Sequence, residues 1–144
     1  MKDHIVLIGA DGAALPADST DYVAIHNTKT GVMEAAPWGE KEFRRAELLE
    51  KLKDFTHAGF NDWSLAPVEQ LFLMGDRTRF NPAVDPEEHP FITSGWYHTG
   101  TVDPESPSAF AFYVYFSHGT AHLYGQSYRA RALLVRSAAA SASQ

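Results

Sequence analysis

The spacing of apolar positions changes twice along the chain and divides it into three stretches. The first is made of short β runs. His4 to Ile8 is β-branched and apolar, and it stops at the turn Gly9-Ala10-Asp11-Gly12. Tyr22 to Ile25 is a second strand. Asn27-Thr28-Lys29-Thr30-Gly31 turns the chain, and Val32 to Ala35 returns as its partner. Residues 1–36 therefore read as strand, linker and hairpin.

From Glu40 the period becomes helical. Phe43, Leu48, Leu49, Leu52 and Phe55 fall on one face of a 3.6-residue repeat, and charged residues fill the rest. Gly59 closes that helix shortly afterwards. In the next stretch, Gly59-Phe60-Asn61-Asp62-Trp63-Ser64, Asn61-Asp62 is a turn and Trp63 reads as a core anchor. Asp62 is expected to bond nearby backbone N–H groups, with a ligand or metal role as the alternative. Ser64 is a candidate cap and Pro67 suits the first turn of a short second helix carrying Val68, Leu71 and Phe72. Residues 75–90 read as a long loop that either wraps the core or carries function.

The third stretch is β again. Ile92 to Val102 is one strand region, and Ala109 to Ser117, Thr120 to Tyr124 and Tyr128 to Arg136 are expected to form a meander. The expected class is α+β: two helices packed on a twisted antiparallel sheet built from both ends of the chain. A single domain is expected over 1–136, with a flexible tail over 137–144.

A two-residue turn at His118-Gly119 would pair Tyr115 with His122 and Tyr113 with Tyr124. Opposed residues share a face. Phe110, Phe112, Val114, Phe116, Ala121 and Leu123 then form a core face, and Tyr113, Tyr115, His122 and Tyr124 form the other. Phenol and imidazole rings give contact area with a polar tip and lose little side-chain entropy on binding. That face is the expected binding surface, and its competing assignment is a face covered by another part of the chain.

Composition narrows the chemistry further. The 144 residues include no cysteine, which excludes a disulfide framework, a thiolate zinc site and a thiol nucleophile. The formal charge of −6 argues against direct nucleic-acid binding. The apolar run Ile5 to Ile8 is too short for a signal-peptide core or a membrane span. Seven histidines invite a metal reading, yet His118 and His122 flank a glycine turn and would not converge, and His89 and His98 lack neighbouring ligands at a familiar spacing. The acidic residues lack calcium-loop spacing. No cofactor, metal or catalytic residue is therefore expected.

Several short motifs resemble one family, in its order. Thr30-Gly31-Val32-Met33 is similar to an early "TGLMW" hairpin, and Ala58 to Leu71 to a central "AGYSDWRLPTVEEL" signature. Asn81 to Asp85 is similar to "NPAID", Ser94 to Thr99 to "YWSST", Tyr113 to Gly119 to "YVNFSNG", and Ala132 to Arg136 to "VRAVR". The family is that of the C-terminal domain of collagen-like bacterial adhesins, common in phage and prophage proteins. Ser64 stands where its pattern has an arginine.

The resemblance implies a C-type-lectin-like fold and ligand binding through an exposed β surface, which adds Tyr97 and His98 to the expected site. The resulting expectation is a non-enzymatic phage or prophage recognition module for a protein or glycan, located in the host cytoplasm or on the virion. The alternative is an inhibitor of a host defence protein using the acidic segments Asp85 to Glu88 and Asp103 to Glu105. A third assignment, a hydrolase or transferase using His and Asp side chains, rests on residue availability alone. Neither membrane association nor a signal-peptide export route is expected, and a homo-oligomer is left open.

Overall fold

A computed structural model describes residues 2–138, so residues 139–144 of the expected tail lie outside the described residues. The class is α+β: mostly antiparallel sheet with two short helices. There are two sheets rather than the single one expected. In chain order the elements are β1 (Ile5–Ile8), β2 (Ala14–Leu15), β3 (Ala24–Asn27), β4 (Val32–Ala35), α1 (Arg45–Leu52), β5 (Ser64–Leu65), α2 (Val68–Leu73), β6 (Trp96–Val102), β7 (Phe110–Tyr115), β8 (Thr120–Gly125) and β9 (Leu134–Ser137). The larger sheet runs β2-β1-β3-β4-β9-β5 and the smaller β6-β7-β8.

The β3–β4 hairpin forms as its turn residues dictate. Asn27 Oδ1 accepts from the backbone N–H groups of Lys29 and Thr30, and Gly31 takes a positive φ. The expected meander does not form. β9 leaves β8 and inserts between β4 and β5, pairing Met33 with Arg136 and Leu65 with Leu134. Its residues alternate between two cores, as a strand buried on both faces must. Leu134 joins Ile8, Ala24, Met33, Leu48 and Trp63 on one side. Val135, with Leu133 just before the strand, joins Leu71, Tyr97, Val114 and Phe116 on the other.

The first helix is shorter than its periodicity implies. Phe43 is drawn out of it by a two-way backbone bridge to Ala130, 2.8 and 3.0 Å. The helix starts at Arg45, where the Glu47 carboxylate accepts from the Arg44 N–H at 2.9 Å. Leu48 is buried, but Leu49 is exposed and does not share the inward face. After Lys53 the chain turns through Asp54, whose φ is positive.

Trp63 is buried in the first core, and its Nε1 donates to the His57 carbonyl at 2.9 Å. Asp62 is held differently from the expectation. Its carboxylate accepts two hydrogen bonds from the Arg136 guanidinium, 2.6 and 3.2 Å, which holds its pKa below the usual aspartate value. The long loop wraps the core. Ala83 and Val84 are buried, and the Ala83 N–H donates to the Phe116 carbonyl.

Candidate functional site

Hairpin β7–β8 carries the expected surface, with a longer turn. Tyr115 pairs with Thr120, Tyr113 with His122 and Ala111 with Tyr124, so the loop is Phe116 to Gly119. The Phe116 N–H donates to the Gly95 carbonyl, its own carbonyl accepts from Ala83, and the Ser117 carbonyl accepts from Asn81. Those outside partners occupy the backbone groups that a tighter turn would have paired. Gly119 closes the loop with a positive φ. The register moves by two residues, so every side chain keeps its face.

Keeping a face does not decide exposure. On the face turned toward α2, Val114 and Phe116 are buried, while Phe110 and Leu123, expected in the core, are exposed. β6 corrects the site further. Trp96 pairs with Tyr115, Tyr97 with Val114 and His98 with Tyr113. Tyr97 therefore points to the α2 side. It is buried edge-on against Phe116, with its hydroxyl accepting from the Thr93 N–H.

His98 and Tyr113 are on the expected face but fully buried, so neither belongs to a binding surface. The segment bridging Phe43 to Ala130 covers them. His98 Nε2 donates to the Phe43 carbonyl at 2.6 Å. Burial lowers its pKa to about 4. The Phe43 carbonyl opposes that shift and the Arg45 charge adds to it. The Tyr113 hydroxyl donates to the Gly125 carbonyl, and burial raises its pKa. Arg45, itself buried, donates to the Thr99 carbonyl at 2.7 Å, and desolvation lowers its pKa.

Around this buried pair, beside the hairpin loop and on the edge strand β8, the rings stay accessible. Tyr115 stacks on Trp96 at 4.4 Å between centroids and 22° between planes. Tyr124 and Tyr128 stack on each other at 4.9 Å, and the Trp96 ring lies edge-on to both. His122 is exposed beside them, 5.2 Å from Trp96, and shares a hydrogen bond with the Thr120 hydroxyl. Glu42, Ser127 and Arg129 border a shallow depression next to these rings. Tyr128 has its pKa raised, first by partial burial and then by Tyr124 and Glu42.

Of the expected residues, the fold thus brings Tyr115, His122 and Tyr124 together at the surface. It adds Trp96 and Tyr128, which sequence reasoning missed. Trp96 had a signal, because it precedes Tyr97 in the same strand and alternation puts it on the opposite face. Tyr128 had none, since it reaches the cluster from the loop after β8.

A second polar constellation lies elsewhere. His89, expected to be a scattered surface histidine, is nearly buried, and its Nδ1 lies 2.9 and 3.0 Å from the two carboxylate oxygens of buried Glu34. Nearby, Glu88 pairs with His4 and Lys2, and Lys2 also with Asp85. Among the described residues no group of three or more His, Cys, Asp or Glu is arranged to hold a metal ion, and no helix is long and apolar enough to cross a membrane. No protein-family model matches the chain, and no curated protein or solved structure matches it either.

Proposed function

We propose that the protein is a non-enzymatic recognition module that binds a protein or glycan through the surface of Trp96, Tyr115, His122, Tyr124 and Tyr128. The observation that carries this reading is the packing of five aromatic rings along the margin of a sheet face with two tyrosines and a histidine left exposed. Flat rings with polar tips, fixed by mutual stacking, offer contact area at a small entropic cost. Glu42 and Arg129 at the border supply directional polar contacts. The finer fold, C-type-lectin-like, and a phage or prophage origin rest on the motif resemblance; the α+β, mostly antiparallel architecture suits such a fold.

Less supports the alternative, an inhibitor of a host defence protein that uses acidic loops. Two of the four residues from Asp85 to Glu88 already spend their charge on Lys2 and His4. The test compares the wild type with a Tyr124→Ala/Tyr128→Ala double variant on a glycan array and in capture from a bacterial lysate. A ligand held by the wild type and released by the variant is the expected result. A ligand held equally by both proteins overturns the reading.

A further inference from the structure

The second polar constellation opens on a cleft of about 370 Å³ between the β3–β4 hairpin, the C-terminal end of α2 and the loop at Glu88-His89. It shares no lining residue with the aromatic surface. Packing alone gives no reason for its floor. Glu34 is 2% exposed and lies in the middle of a sheet between Ile25 and Val135. Burying a carboxylate costs more than burying an apolar residue of the same size, even when the carboxylate is paired.

What Glu34 accomplishes is orientation. Both its oxygens accept from His89 Nδ1, which fixes the ring and, in the neutral imidazole, leaves Nε2 as a bare acceptor. His89 is 9% exposed and lines the cleft, and its Nε2 has no partner among the described residues. Asn27 repeats the pattern with the opposite polarity. It is 6% exposed, its Oδ1 is taken by the Lys29 and Thr30 N–H groups, and its Nδ2 donor has no partner among the described residues. Neither atom is sealed from solvent. Val32, Leu73 and Met74 line the same cleft, and Leu73 is 77% exposed.

A fixed acceptor, a fixed donor and an apolar wall complement a peptide unit with its side chain. The N–H would go to His89, the C=O to Asn27, and an aliphatic side chain would lie against Leu73 and Met74. We propose that this cleft is a second binding site, one that takes a peptide segment of a partner protein through an aliphatic side chain.

The test is an NMR titration of the full chain, following the Asn27 amide and His89 ring resonances. The probes are N-acetyl-L-leucine N-methylamide, N-acetylglycine N-methylamide and 3-methylbutyl acetate, which has the branched chain but no N–H. The leucine probe should give saturable shifts at both residues. The glycine probe should bind about tenfold more weakly for want of the buried aliphatic group, and the ester should not bind. Leu73→Asp, a change at an exposed position, should weaken the leucine probe by a similar factor with an unchanged circular dichroism spectrum. Tyr124→Ala should leave it unaffected, which separates this site from the aromatic surface. No saturable shift, an equal response to all three probes, binding of the ester alone, or indifference to Leu73→Asp would each overturn the proposal.

Discussion

The centre and the margin of one sheet face carry the same kinds of side chain and meet opposite fates. His98 and Tyr113 pair side by side in the middle of β6 and β7, while Tyr115 lies next to the hairpin loop and His122 and Tyr124 on the edge strand β8, all on the same side of β6-β7-β8. The first pair is sealed and the second group is accessible. Nothing in the strands themselves makes that difference. It comes from the chain that crosses the face, where Phe43 and Ala130 exchange backbone hydrogen bonds and Ala130 packs with Tyr113. Alternation assigns a side chain to a face, and a distant segment then decides whether that face is core or surface.

The comparison breaks most visibly at the sealed centre. Tyr113→Ala should destabilise the protein by about 3–5 kcal/mol, the usual cost of emptying a buried aromatic site, as read by urea unfolding. Next comes His98. Its folded pKa, about 4, lies below the ordinary 6.5, so the unfolded chain takes up the proton first as the pH falls. The stability it contributes is complete above about pH 6.5 and is lost as the pH drops toward 4, by roughly 3 kcal/mol over that window. Stability measured against pH in His98→Gln should lack that slope.

A smaller effect is expected from Tyr113→Phe, which removes one of two donors to the Gly125 carbonyl, the Tyr128 N–H remaining, and should cost about 1 kcal/mol. At the open margin, Tyr124→Ala should cost about 0.5–1 kcal/mol, the scale of a lost ring stack at a partly exposed position, while weakening ligand capture. A loss there as large as that of Tyr113→Ala would mean that centre and margin do not differ as described.

How much of this the sequence carried depends on how local each cause is. Asn27 and Gly31 fix their own hairpin, and Pro67 marks the start of α2, so those elements were legible. The face assignment of Tyr113, Tyr115, His122 and Tyr124 survived a two-residue register error because the period of a strand is two. The helix start failed because Phe43 answers to Ala130, 87 positions away, and not to its neighbours. Tyr97, His98 and Tyr113 left the site for related reasons: one was assigned to the wrong face, and the others are covered by a remote segment. The Glu34–His89 pair was invisible for the same reason, since no spacing links positions 55 residues apart.

The place of β9 also constrains how the molecule can be assembled. Its four residues fill the gap between a strand from the amino-terminal hairpin and a strand from the middle of the chain, and they supply side chains to both cores. Until residue 137 has been synthesised, β4 shows an unpaired edge and two hydrophobic interiors stay open on one side. Folding during translation should therefore stall at a hairpin-rich intermediate and finish late, in a step dominated by sequence-distant contacts and slow for that reason.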